Sequence, residues 1–163
     1  MEVKLMAAKI IDGKKIAEEI KQKLAAEIKG WKKKPGLATV LVGEDPASKV
    51  YVYRKNVACK EYGFYSREIH LPENTTQAQL LKTVKELNND KAIHGILVQL
   101  PLPEQIDENA ILGAITPEKD VDGFNPLNFG LMLSGIPSFV PCTPRGVMHL
   151  IKSTGIPLEG KHA

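Results

Sequence analysis

The 163-residue chain reads as an α/β protein built in three layers, a parallel sheet with helices on both faces, and three observations carry that reading. Helical and strand patterns alternate along residues 13–100 in the order helix, strand, helix, strand, helix, strand, which calls for crossover connections and parallel pairing. Two strand segments, LATVLV at 37–42 and GILVQL at 95–100, are apolar at nearly every position, as strands covered on both faces are. Gly and Pro punctuate the pattern at Pro35-Gly36, Gly43 to Pro46, Gly63, Leu71-Pro72 and Pro101-Leu102-Pro103.

Asp12 is placed to cap a first helix over residues 13–34. Its Ile16, Ile20, Leu24, Ile28 and Trp31 recur at spacings of four and three and predict one core-facing stripe, with Lys14, Lys21, Lys32 and Lys33 largely on the wet side. The strand at 37–42 follows, and the turn Gly43-Glu44-Asp45-Pro46 opens a second helix that ends near Gly63. Residues 64–70 nearly alternate and predict a second strand. Asn74, Thr75 or Thr76 caps a third helix through Leu80, Leu81, Val84 and Leu87. After the strand at 95–100 come a short helix at 107–115, an irregular Pro/Gly/Asn-rich connection over 116–144 and a last helix at 144–153. Ordered connections of that length are usually functional.

With 43% apolar and 25% charged residues, the composition is that of a globular domain able to bury a core without staples. The net charge of +3 is spread over helical faces without aromatic–basic alternation, which argues against a nucleic-acid partner. Cys59 and Cys142 lie far apart, with no CxxC and no His at metal spacing, so no metal site is expected and a reducing compartment fits. The start, MEVKLMAAKII, has two charges in its first four residues and too short an apolar run for a signal sequence. No stretch approaches membrane-spanning length, and the cytoplasm is the expected location.

Chemistry concentrates around the second helix. Ser48, Tyr51 and Lys55, spaced by three and four, share one of its faces. The helix begins just beyond the carboxyl end of a long strand, where open parallel sheets bind ligands. Gln99, ending its own strand, reaches the same rim, and so does Asp122 if its loop folds over the crevice; Val98, Leu100, Pro101 and Leu102 supply an apolar lining. An amine, a phenol, an amide and a carboxylate in such a cleft suit a flat, partly aromatic ligand with a polar heterocyclic edge. Tyr51 stacks on it, Asp122 accepts from ring N–H and amino groups, and Gln99 orients the amine. The amine acts as a base or, protonated, stabilises developing negative charge.

Each residue alone has a plainer reading. A Tyr and a Lys at helical spacing are usually surface decoration, an amide often caps a strand end, and Asp120 and Asp122 pass for turn residues. Cys59 reads as packing, and His70, His94 and His149, with no partner at a telling spacing, read as neutral structural histidines. Short-chain dehydrogenases share the Tyr-x-x-x-Lys spacing, but they need a Gly-rich dinucleotide loop after the first strand. Here that position holds GEDPAS, and no G-x-G-x-x-G occurs anywhere.

Together, VGEDPASKVYVYRKNVACKEYGF, HGILVQLPLP, PEKDVDGFNPLNFG and FVPCTPRGVMHLI closely resemble the bifunctional methylenetetrahydrofolate dehydrogenase/cyclohydrolase family, in order and spacing, from about Ala8 to Ala163. The resemblance implies an amino-acid-dehydrogenase-like N-terminal domain in one-carbon folate metabolism that feeds purine biosynthesis. The family oxidises methylenetetrahydrofolate to the methenyl form with a nicotinamide cofactor, usually NADP, and hydrolyses that to formyltetrahydrofolate. By resemblance Lys55 is the catalytic lysine, Tyr51 the ring that stacks on the folate aminobenzoate, and Gln99 the lysine's partner. Asp122 is then the pterin-gripping carboxylate, Ser48 a serine near the lysine, and Val98, Leu100 and Pro101 the substrate rim.

In the family, GKHA leads into the dinucleotide-binding domain, whereas this sequence stops at Ala163. The expectation is a folate-binding catalytic domain at 1–155 and the start of a missing Rossmann domain at 156–163, with no cofactor-binding residue in the chain. A homodimeric parent is implied, while this chain is expected as a monomer or in a non-native association. It should lack dehydrogenase activity and keep weak cyclohydrolase activity at most. The competing readings are an inactive folate-binding module and a shikimate-dehydrogenase-like domain; the intact PEKDVDGF and Gln-Leu-Pro stretches speak against the second.

Overall fold

The sheet has three parallel strands in the order β2-β1-β3, formed by Gly36–Val42 (β1), Tyr65–Leu71 (β2) and Gly95–Val98 (β3). The helices are α1 (Gly13–Ile28), α2 (Pro46–Glu61), α3 (Gln77–Asn89), α4 (Glu108–Ala114), α5 (Pro126–Leu133) and α6 (Cys142–Ser153), with one 3-10 turn at Pro117–Lys119. These come from a computed structural model that describes residue 8 and residues 10–162. Most of the stretch on which the signal-sequence reading rests, and Ala163, lie outside the described residues. Among the described residues no helix is long and apolar enough to cross a membrane.

The chain leaves β1 for β2 through α2, then returns across β1 to β3 through α3. Right-handed crossovers running in opposite directions put their helices on opposite faces, and the packing shows that result. Ala38, Val40 and Val42 of β1, with Ile96 and Val98 of β3, pack against Leu80, Val84 and Leu87 of α3 and Ile111 of α4. On the other face Thr39 donates to Asn56 of α2 at 3.3 Å. Each large apolar side chain buried in this core contributes about 1.5–3 kcal/mol.

Side-chain caps set the helix starts. Asp12 accepts from Lys15 N at 2.9 Å, and Asp45, followed by Pro46, accepts from Ser48 N at 2.7 Å. Thr76 is the residue of its three candidates that caps α3, in a reciprocal box with Gln79.

Several boundaries differ from the sequence expectation. α1 ends at Ile28 and not at Lys34, because Lys34 folds back and its ammonium donates to the carbonyls of Ile28 at 2.6 Å and Lys29 at 3.1 Å. Its apolar stripe is mostly uncovered: Ile28 is buried, while Ile20, Leu24 and Trp31 are 38%, 42% and 51% exposed. α1 is tied mid-length through Tyr62, whose hydroxyl lies 2.7 and 2.8 Å from the two Glu18 carboxylate oxygens.

β3 leaves its ladder at Val98, short of Leu100; Pro101 has no N–H with which to continue. The connection at 116–144 is not irregular throughout. It holds the 3-10 turn and α5, which starts at Asn125, whose side chain accepts from Leu127 N at 2.8 Å, and at Pro126, and stops at Gly135 with φ +71°. α6 begins at Cys142, before Pro144, which sits in the first turn where its missing N–H costs nothing.

Candidate functional site

Because the chain turns to one face after β1 and to the other after β3, the point where the strand order reverses lies beyond the carboxyl ends of these two strands. Open parallel sheets bind ligands in a crevice at such a point. Lys55 reaches it from α2, and its Nζ donates to Gln99 Oε1 at 3.0 Å, across 44 residues of sequence. Gln99 is itself immobilised. Its backbone N–H donates to Val40 O at 2.8 Å and its Nε2 to Leu100 O at 2.7 Å, so the amide oxygen is the end that faces the lysine. An ammonium has three donors, and the others remain for a ligand or water.

Asp122 lies in a loop organised by Asp120. The Asp120 carboxylate, 2% exposed, accepts from the backbone N–H of Gly123 at 3.1 Å, Phe124 at 3.2 Å and Asn125 at 2.8 Å, and from Asn128 Nδ2 at 2.9 Å. Gly123, with φ +72°, packs so closely on the segment entering α6 that a Cβ would stand 2.8 Å from Pro141 N. The Cys142 thiol adds a long contact to Val121 O at 3.4 Å.

Asp122 itself is half-buried. Burial pushes its carboxyl above the ordinary carboxylate range, the Lys55 ammonium pulls it down and the Asp120 charge pushes it up. Lys55 and Asp122 therefore sense each other's charge, yet among the described residues they do not close an ion pair. Burial, then the Asp122 charge, pushes the Cys142 thiol up, and burial raises Cys59, so neither offers an activated thiolate.

Other expected site residues fall less simply. Tyr51 is 56% exposed on the outer side of α2, an open ring at the rim. Ser48, unlike Tyr51, is 2% exposed, and its backbone N–H donates to Asp45 in the helix cap. Its hydroxyl and backbone N–H hold the exposed Asp45 carboxyl below the usual range. Val98 belongs to the core and not to the rim, because neighbouring strand residues point to opposite faces and Gln99 takes the crevice side. Leu100 is half-buried and Pro101 exposed at the rim, while Leu102 packs against the core. His94 is structural, its Nδ1 accepting from Gly36 N at 3.0 Å.

Sequence reasoning missed Asp120 and Asn56 as buried polar anchors. The spacing Asp120-x-x-Gly123-x-Asn125 is the signal that marks a carboxylate bonding its own downstream backbone. A concavity of about 500 Å³ lined by Leu127, Leu131, Phe139 and Arg145 among others contains none of Lys55, Tyr51, Gln99 or Asp122.

A nicotinamide dinucleotide does not fit the turn after β1. Glu44 and Asp45 put two carboxylates at the start of α2, where a pyrophosphate would need positive potential. The space that a Cβ on Gly43 would take is filled by the Glu73 carboxylate, 1.8 Å from that point.

The raised Asp122 carboxyl has a consequence for stability. A folded-state value above the unfolded one favours folding at low pH and is lost as pH rises through the folded value. Asp122→Asn is expected to raise the thermal midpoint at neutral pH, with the gain fading as pH falls through the raised folded value and gone below about pH 4, and to weaken ligand binding. Paired melting curves at pH 4 and pH 7 check the first effect and calorimetric titration the second.

An α/β domain with a lysine held against an amide at its strand ends, and a half-buried carboxylate near enough to sense the lysine's charge, is the class of protein that the fold and these residues define. The chain belongs to the tetrahydrofolate dehydrogenase/cyclohydrolase family, whose catalytic-domain model matches residues 11–122. It is 55% identical over 157 residues to the bifunctional protein FolD of Geotalea daltonii, covering 94% of this chain and 56% of that protein. Among solved structures it is similar to FolD of Campylobacter jejuni, at 46% identity and a TM-score of 0.91, over 95% of this chain and 56% of that one. The Trypanosoma brucei methylenetetrahydrofolate dehydrogenase-cyclohydrolase, complexed with NADP and an inhibitor, superposes at 38% identity and a TM-score of 0.90, over 96% of this chain and 55% of that one. The chain thus spans about half the length of the relatives that it matches.

Proposed function

We propose that this chain binds a reduced folate and carries the hydrolytic chemistry of a bifunctional methylenetetrahydrofolate dehydrogenase/methenyltetrahydrofolate cyclohydrolase. The observation that carries the reading is the Lys55–Gln99 contact at 3.0 Å, set at the strand ends of a fold whose family acts on tetrahydrofolate. Residues 1–155 form the folate-binding unit and 156–163 lead out of it.

Asp122 accepts from the pterin N–H and amino groups, and Tyr51 covers the aminobenzoate ring. Water adds to the cationic methenyl carbon, and its proton leaves through the Lys55 ammonium held by Gln99. The ammonium gives one of its own protons to bulk water as it takes the new one. As the bond from that carbon to one nitrogen breaks, a proton is delivered to the nitrogen. One water is consumed, one proton is released overall, and the formyl product remains.

In the whole protein the methylene substrate is oxidised with NADP, in a cytoplasmic homodimer that supplies one-carbon units for purine synthesis. The turn after β1 does not fit that cofactor, and no step in hydride transfer is assigned to the described residues. Incubating this chain with deuterated methylenetetrahydrofolate and NADP is expected to give no labelled NADPH. Calorimetric titration with tetrahydrofolate should show binding, and methenyltetrahydrofolate absorbance should decay faster than in buffer. Absence of both heat and excess decay would overturn the reading.

A further inference from the structure

We propose that Asn56 is a positioning residue that sets the Lys55 amine against Gln99, an inference that rests on the functional reading of that pair. Asn56 is the next residue to Lys55 and is 5% exposed. Its Oδ1 accepts from Thr39 Oγ1 at 3.3 Å and from the Ser66 hydroxyl, and its Nδ2 donates to Glu68 Oε2 at 2.6 Å. Thr39 lies on β1 and is paired with Glu68 on β2, so one amide straddles the junction of two strands.

Gln99 hangs from the same strand, through its N–H bond to Val40 O at 2.8 Å, one residue beyond Thr39. Lys55, Asn56, Thr39, Val40 and Gln99 thus form a closed ring of covalent and hydrogen bonds, with the lysine–amide contact as its last link.

The helix needs such a device. Ser48, Val52 and Asn56 are the buried residues of α2, and Ser48 is engaged in the cap. Val52 alone packs without direction, and a turn of the helix by one residue would swing Lys55 through about 100°. Asn56, with three directional bonds to two strands, fixes both rotation and height. A leucine there would fill the space and leave the rotation free.

A purely structural Asn56 would alter stability but leave the lysine–amide contact unchanged in folded molecules, and that difference decides the test. In 15N-labelled chain, the Gln99 side-chain amide resonances are identified by their loss in Gln99→Met, and Lys55→Met defines the shift of a broken contact. Asn56→Leu is expected to move them toward the Lys55→Met position. Folate affinity should stay within about twofold and saturated hydrolysis should fall about tenfold.

Thr39→Val, which removes one hydroxyl at nearly constant shape, should give a smaller shift in the same direction and serves if Asn56→Leu does not fold. Gln99 resonances at their wild-type positions in the folded variant would overturn the proposal. If the wild-type chain shows no hydrolysis, the resonances still decide on Asn56, and the failure lies with the functional reading.

Discussion

Lys55→Met is expected to bring methenyltetrahydrofolate hydrolysis down to the uncatalysed rate, a loss of about 10²–10⁴-fold if the amine handles the proton of the attacking water. The fold should survive. Lys55 is half-buried on a helix whose buried anchors are Ser48, Val52 and Asn56, and a methionine stem occupies nearly the same path. What the substitution removes is the donor to Gln99 Oε1, which then faces the crevice without its partner. Parallel absorbance decays and melting curves give the answer: unchanged hydrolysis in a folded variant would remove Lys55 from the chemistry.

Asp120→Ala is expected to have the largest effect on stability. Its carboxylate is almost wholly buried and answers three backbone N–H groups and the Asn128 amide. Truncation takes an acceptor from all four. Gly123 N–H keeps the Asp120 carbonyl at 3.3 Å and Asn128 Nδ2 the Pro117 carbonyl at 2.9 Å. Phe124 and Asn125 N–H lose theirs, and the cost is roughly 3–5 kcal/mol in all. Typical domains hold about 5–15 kcal/mol, and at this chain length the loss corresponds to a fall in the thermal midpoint of about 6–20 °C. Asp122→Ala, two residues away, should weaken folate binding with little loss of stability. The contrast separates the residue that builds the loop from the one that faces the ligand, and equal melting curves for the two variants would contradict it.

Local marks draw attention to Lys55, Gln99 and Asp122: Lys55 shares a helical face with Tyr51 part-way along a helix with a capped start, Gln99 follows a strand that Pro101 closes, and Asp122 precedes a Gly turn. The same local signals at Asn125-Pro126 and Gly135 mark α5. Val98 illustrates a limit that parity could have removed, since residues 98 and 99 cannot both face the crevice from one strand. The stripe of α1 obeys helical spacing and still lies open, because periodicity reports which face is apolar and not whether anything covers it. Asn56 is beyond local reading as an anchor, because its partners stand 10, 12 and 17 residues away on two strands. Asp120 is not, since its backbone partners Gly123, Phe124 and Asn125 follow it directly in the chain, and a reading as a mere turn residue passes over that spacing.

Both β1 and β3 are apolar on either face, so greasiness alone cannot distinguish the native pairing from one slipped by a residue. A slipped β3 would bury nearly as much surface and would aim Gln99 at α3. The polar groups at the strand ends discriminate where the core does not, and a chain paired out of step would be catalytically silent. On the proposed function, hydrolysis would therefore also serve as a proofreading signal, reporting that two strands met in the right frame.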